Sequence, residues 1–154
     1  MSFQHDLRIN ASALSAQRLR MNTISNNLAN ANTTRTAAGG PYKRQQVIFA
    51  PLFEQNITQK IRMSRSNEGH LSPLGLEGQG VKVVAITEDS REGKMVYEPD
   101  HPDANQNGYV EYPNVNVVAE MTEMISASRA YEANITATQA IKSMAMKALE
   151  IGRT

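Results

Sequence analysis

The segment whose spacing best fits metal chemistry is DANQNG, residues 103–108. Its side chains match the first half of an EF-hand calcium loop at Asp103, Asn105, Asn107 and Gly108. The glutamate that should close such a loop is replaced by Asn114, and the YEPDHP before it cannot form the entering helix. Because Asn-Gly is a strong turn dipeptide, we interpret the segment as a turn before a strand.

The other residue types that carry chemistry show no catalytic arrangement. His5, His70 and His101 are far apart in sequence, and none has the helical spacing of a zinc site. The glycines near residue 78 do not form a nucleotide-binding loop, and no nucleophile elbow is present. The sequence therefore predicts no catalytic residue, cofactor or metal ion, and a protein that is not an enzyme.

Charge and composition exclude several other classes. The formal net charge is +1 and the basic residues are scattered, which argues against nucleic-acid binding. There is no cysteine, so disulfides and thiol chemistry are excluded. The N-terminus lacks the pattern of a cleavable signal peptide, and no apolar run is long enough to span a membrane.

Glycine and proline divide the chain into three parts. All six prolines lie between Pro41 and Pro113, and eight of the nine glycines lie between Gly39 and Gly108. Both residues disfavour helix interiors, so helices are predicted before and after this region. The predicted divisions are 1–41 for an N-terminal helix with an Asn-rich motif, 42–113 for a β-rich middle domain, and 114–154 for a C-terminal helix.

The N-terminal helix is predicted over about residues 4 to 31. Apolar side chains recur every seven residues there, with Ile24 in the same stripe, at Leu7, Leu14, Met21 and Leu28. This narrow stripe is typical of a coiled-coil seam. Polar residues near the seam, such as Gln17, interrupt it.

The C-terminal helix is predicted from residue 114 to 151. Asn114 or Asn116 can serve as its N-cap, and Gly152 is placed to end it. Its apolar stripe includes Val117, Met121, Met124, Tyr131, Ile135 and Ile141. A helix of this length spans roughly 55 Å and needs a partner along its length, which the N-terminal helix can supply.

The middle region is predicted to contain short strands and a long loop. The candidate strands are 46–52, 81–87, 94–98 and 109–112, and a mobile loop is expected over residues 64–80. The predicted fold class is therefore α+β, with long terminal helices paired as a coiled-coil-like stem and a small β-rich domain inserted between them.

An unusual group of asparagines follows the N-terminal stripe. A helix end explains one or two of them, but not all four of Asn26, Asn27, Asn30 and Asn32. Asparagine offers donors and acceptors together, so we expect this group to form polar contacts between packed subunits. The apolar residues of the two helical stripes are expected to form the accompanying seam.

Several segments resemble the bacterial flagellar rod and hook axial protein family. ISNNLANANTT, residues 24–34, looks like the family's N-terminal signature, and GGPYKRQ, residues 39–45, narrows the resemblance to proximal rod proteins. Further similar segments are residues 97–110, 112–118, 124–135 and 142–153. The stretch 56–80 carries no resemblance.

The resemblance implies a structural subunit that polymerises into the proximal rod of the basal body, crosses the periplasm with it and transmits motor torque. It implies export by the flagellar type III apparatus without a cleaved signal. The implied partners are copies of itself, the rod proteins FlgB, FlgF and FlgG, and the basal-body protein FliE. From the residues alone, a coiled-coil adaptor, a secreted helical tip protein or a calcium-regulated module stay open as alternatives.

Overall fold

The computed structural model describes residues 3–52 and 78–152. Within them the order of elements is helix, four strands and helix, as the α+β prediction requires. The predicted loop 64–80 lies outside the described residues, apart from residues 78–80.

Helix α1 runs from Phe3 to Ala29 and contains no glycine or proline. It ends in tight turns of the Asn-rich segment, where the backbone N–H of Ala31 donates to Leu28 and that of Thr33 to Asn30. The Asn30 side chain also donates to the Asn26 carbonyl, which occupies an acceptor at the helix end. The predicted helix is confirmed, and it ends slightly earlier than expected because these turns replace its last residues.

Helix α2 runs from Val117 to Ile151. Of the two predicted caps, Asn116 is the one used, since its side chain accepts hydrogen bonds from the backbone of Val118 and Ala119. At the other end the Gly152 N–H donates to the Ala148 carbonyl. The helix therefore begins three residues later than predicted and ends where predicted.

The four predicted strands are all present, as two separate two-stranded antiparallel sheets within the described residues. The longer sheet pairs β1, Gln45–Pro51, with β2, Val81–Glu88, and has a β-bulge between Ile48 and Phe49. The shorter sheet pairs β3, Lys94–Tyr97, with β4, Tyr109–Tyr112. The described part of the middle region thus contains two small sheets and not one larger sheet.

The Asp103–Gly108 segment forms the predicted turn before β4. The Asn105 side chain accepts from the N–H groups of Asn107 and Tyr109, and Gly108 has a φ of 78°. This side-chain-closed turn is the asparagine geometry expected of a turn, not of a metal loop. Asp103 itself accepts a hydrogen bond from the Thr34 hydroxyl at 2.8 Å, which ties the turn to the chain after α1.

The elements meet around α1. The backbone of α1 lies close to β1, β2 and α2. Within the described chain the backbone of α2 lies close to that of α1 only, and its Glu120 and Glu123 side chains also bond to Arg44, next to β1. The side chains of α1 and α2 that are almost fully buried include only three apolar ones: Ala16, Ile24 and Ala127. The helix pair therefore has a thin apolar core.

Gly80 brings the start of β2 onto α1. The Val81 N–H donates to the Ser12 hydroxyl at 3.1 Å, and Gly80 has a φ of 113°. A Cβ at residue 80 would overlap the Ser12 side chain. Both the backbone conformation and the space require glycine at this position.

We expect Gly80→Ala to lower the free energy of unfolding by about 1–3 kcal/mol, through the strained φ and the clash with Ser12. Chemical denaturation monitored by circular dichroism measures this change. Gly78→Ala is the matched control, because nothing lies within contact distance of a Cβ there, and it should change stability by less than about 0.5 kcal/mol. Equal effects of the two substitutions would show that the close approach to Ser12 is unimportant.

Candidate assembly interface

The end of α1 is joined to the start of α2 by buried polar side chains. Asn27 is only 1% exposed. Its amide donates to the Gln45 carbonyl at 2.8 Å and to the Glu120 carboxylate at 3.0 Å. Its oxygen accepts from the Tyr42 hydroxyl and from the Gln45 N–H, both at 2.9 Å. All four hydrogen bonds that the Asn27 amide can make are therefore used, and they connect the end of α1 to residues 42–45 and to the start of α2.

Glu120 is the charged centre of this arrangement and is also 1% exposed. Arg44 donates through Nε to Glu120 at 2.6 Å and through a terminal nitrogen to Glu123 at 3.2 Å. Arg20 reaches Glu123 at 3.4 Å. Two guanidinium groups thus balance two carboxylates, as a buried charge requires. We call the seven residues the polar cluster: Arg20, Asn27, Tyr42, Arg44, Gln45, Glu120 and Glu123.

The polar cluster corrects part of the prediction made for the asparagines. Asn27 was expected on the surface between subunits, but it is buried and fully bonded within the chain. Asn26 and Asn32 are exposed and Asn30 is partly buried, so a contact between subunits stays a prediction for those three. The sequence alone does not distinguish Asn27 from the other three asparagines, because its partners Gln45 and Glu120 lie far from it along the chain.

The cluster also gives the direction of the helix pair. Asn27 pairs with Glu120, while the earlier Arg20 pairs with the later Glu123, so α1 and α2 run antiparallel. Only three residues of α2 precede Glu120, and only two residues of α1 follow Asn27. Since α2 has 35 residues and α1 has 27, the excess length lies at the C-terminal end of α2.

The predicted seam residues differ in how far they are buried. Ile24 is buried by the chain itself. Eight are partly buried: Leu7, Leu14, Met21, Leu28, Met124, Tyr131, Ile135 and Ile141. Val117 and Met121 are exposed, at 44% and 52%, because Glu120 takes the inward position in that turn. Whether any of these residues contacts another subunit stays a prediction.

Two apolar surfaces of α2 remain uncovered. The first, which we call the N-terminal stripe, consists of Val118, Met121 and Ile125, spaced to lie along one side of the helix and 73%, 52% and 55% exposed. The second is the C-terminal overhang, about residues 145–151, where Met146 and Leu149 are 54% and 67% exposed. The predicted seam did not include Val118, Ile125 or the overhang side chains.

The ionisation of Tyr42 is shifted by this environment. Burial raises the pKa of the Tyr42 phenol above its usual value of 10.0, and the nearby carboxylates of Glu120 and Glu88 raise it further. The folded chain therefore holds the phenolic proton more tightly than the unfolded chain does. The resulting stability is present below pH 10 and is lost as the pH rises through the folded-state pKa.

We expect the unfolding midpoint of the protein to fall progressively above pH 10, and Tyr42→Phe to weaken this dependence. Thermal unfolding between pH 8 and pH 11 measures both slopes. Tyr97→Phe, which alters an exposed tyrosine of β3, is the control and should keep the slope of the parent protein. An unchanged slope in Tyr42→Phe would exclude Tyr42 as the responsible group.

Other kinds of site are not found in the part of the chain that the structure describes. Residues 3–52 and 78–152 contain no group of three or more His, Cys, Asp or Glu side chains placed to hold a metal ion. No helix among them is long and apolar enough to cross a membrane.

Comparison with known proteins shows which family this chain is similar to. A family model described as flagella basal body rod protein matches residues 7–35, and one described as flagellar basal body rod FlgEFG protein C-terminal matches residues 106–151. The flagellar basal-body rod protein FlgC of Bacillus subtilis strain 168 is 45% identical over 99% of this chain and 100% of its own length. The chain belongs to the FlgC family of flagellar basal-body rod proteins.

Two further relatives support the same assignment to the FlgC family. The FlgC proteins of Borreliella burgdorferi and Salmonella typhimurium LT2 are 45% and 40% identical, over 98% and 94% of both chains respectively. Membership of the FlgC family confirms the prediction of a structural subunit of the flagellar basal-body rod that is not an enzyme. The polar cluster joins the two segments matched by the family models, since Asn27 lies in the first and Glu120 in the second.

Proposed function

We propose that the protein polymerises through its terminal helices into the proximal rod, where it crosses the periplasm and transmits motor torque. It is exported without a cleaved signal peptide, as the resemblance to axial proteins implies. Its neighbours are further copies of itself, FlgB, FlgF, FlgG and FliE. The Asn26, Asn30 and Asn32 side chains and the partly buried seam residues contribute to these contacts.

The observation that carries this proposal is the uncovered apolar surface at both ends of α2. The N-terminal stripe and the C-terminal overhang are separated by most of the helix, about 30–40 Å at 1.5 Å per residue. Because the two surfaces lie that far apart on one helix, they can contact two different neighbouring molecules. Contacts between different surfaces of neighbouring subunits do not close on themselves unless the rotation closes a ring, and they generate helical filaments.

Apolar burial at these surfaces supplies the driving force. Each Å² of apolar surface removed from water stabilises an assembly by roughly 25 cal/mol, so many modest contacts sum to a stiff shaft. Within the described residues α1 is too short to reach the overhang, and we expect the last turns of α2 to fray until a neighbour covers them.

Deletion of the gene followed by electron microscopy of isolated basal bodies tests the proposal. We expect the distal rod and hook to be absent, and the wild-type gene to restore them. Normal flagella in the deletion strain would contradict the proposal and favour an adaptor role for the helix pair. Basal bodies of the deletion strain that still contain a distal rod would contradict a position of this protein in the proximal rod.

A further inference from the structure

The apolar seam between α1 and α2 does not by itself define one alignment of the two helices. The large apolar residues of α1 recur every seven positions, at Leu7, Leu14, Met21 and Leu28. If α2 were displaced along α1 by seven residues, it would therefore meet a similar row of apolar side chains. The few fully buried apolar side chains of the pair add little shape specificity, because two of the three are alanines.

A slide would also keep part of the charge pairing. Arg20 lies seven residues before Asn27 on the same side of α1, so a shift by one heptad would bring Arg20 beside Glu120. Gln17, in the middle of α1, has a buried side-chain oxygen without a hydrogen-bond partner among the described residues, so that oxygen provides no bond specific to the observed alignment. Apolar contact therefore accepts the shifted arrangement and Arg20 keeps an ion pair in it, whereas the pairs of Arg44 with Glu120 and Glu123 would be lost.

The bonds of Asn27 are different, because they require one alignment only. Asn27 bonds at the same time to Gln45, at the start of β1, and to Glu120 of α2. Arg44, the residue before Gln45, holds the other oxygen of Glu120. Within the described chain the backbone of α2 lies close to that of α1 only, so side-chain bonds and not close packing on a sheet connect α2 to the start of β1.

We propose that the polar cluster is a register lock, in which Asn27 selects one of several alignments that the apolar seam would accept. Asn27 is a positioning residue here: it determines how far α2 is displaced along α1. A buried polar side chain that specifies the register of paired helices is a known use of such groups. The proposal concerns the fold of a single chain and does not depend on its role in the rod.

Distance measurements between spin labels on the purified full chain test this proposal. The chain has no cysteine, so Asn22→Cys and Thr136→Cys, both at exposed positions on the two helices, can be labelled without other changes. The parent pair should give one narrow distance distribution. Asn27→Ala should add a second population, displaced by up to about 10 Å, the rise of seven helical residues.

Asn26→Ala is the matched control, because it removes the same side chain from the neighbouring exposed position. It should keep the single parent distance. A single unchanged distance in Asn27→Ala, with helix content retained, would overturn the proposal, as would a broad distribution in the parent chain.

Glu120→Gln covers the case in which Asn27→Ala fails to fold. The glutamine keeps the shape of the side chain but weakens its bond to Arg44, so the proposal expects the displaced population here as well. If both variants lose helix content without any displaced population, the cluster contributes stability alone and the register lock is excluded.

Discussion

Replacing Arg44 with leucine is expected to lower the free energy of unfolding by about 3–5 kcal/mol, the usual cost of removing one partner from a buried ion pair. The Arg44 side chain is 11% exposed and that of Glu120 is 1% exposed, so water cannot replace the lost guanidinium. Of its side-chain bonds to the described residues, Glu120 would keep the one from Asn27, which donates a neutral hydrogen bond. Urea denaturation followed by circular dichroism measures the change.

Arg91→Leu is the matched control for this substitution. Arg91 also pairs with a carboxylate, that of Asp89, but its side chain is 73% exposed. An ion pair with such an exposed partner contributes little to stability, so Arg91→Leu should leave the free energy of unfolding almost unchanged. The double variant Arg44→Leu with Glu120→Leu should recover part of the loss, because it removes the unpaired charge. Equal effects of Arg44→Leu and Arg91→Leu would contradict the importance we assign to burial of the cluster.

Ile135→Asp is expected to abolish rod assembly. Ile135 is partly buried on α2, in the central part of the helix pair. An ionised carboxylate without a partner is strongly disfavoured in an apolar contact, and a polymer repeats that cost at each subunit. Electron microscopy of basal bodies and a motility assay, in cells producing the variant as their only copy, measure the result.

Ile135→Leu is the control, since it keeps the apolar side chain and should support normal motility. Circular dichroism of the purified Ile135→Asp chain separates loss of assembly from loss of the helices. Normal motile flagella built from Ile135→Asp would show that Ile135 does not belong to the seam.

The elements of the fold were predictable because their signals are local. The absence of glycine and proline identified both helices, and the Asn116 cap shows why α2 begins at Val117. Short runs rich in β-branched and aromatic residues identified all four strands. The division at residues 42 and 113 stays a prediction, and residues 53–77 lie outside the described part of the chain.

The polar cluster could not be predicted in the same way, because its bonds join distant parts of the chain. Asn27 and Glu120 are 93 positions apart, and Arg44 and Glu120 are 76 apart. In the sequence, Asn27 cannot be told apart from its neighbours Asn26 and Asn30. Its role depends on Gln45, which lies beside it only in the folded chain. Glutamate near a helix start is ordinarily explained by the helix dipole, which concealed the burial of Glu120.

The attachment of α2 through its seam with α1 and through its bonds to Arg44 has a mechanical consequence. A force along the helix axes would tend to slide α2 past α1. The bonds of Asn27 and Arg44 to Glu120 would both oppose this sliding and would break together. A twisting force would instead spread over the partly buried side chains along the whole seam. A subunit built this way is stiff against axial sliding at one end of the helix pair and compliant at the other, where the overhang yields first unless a neighbour supports it.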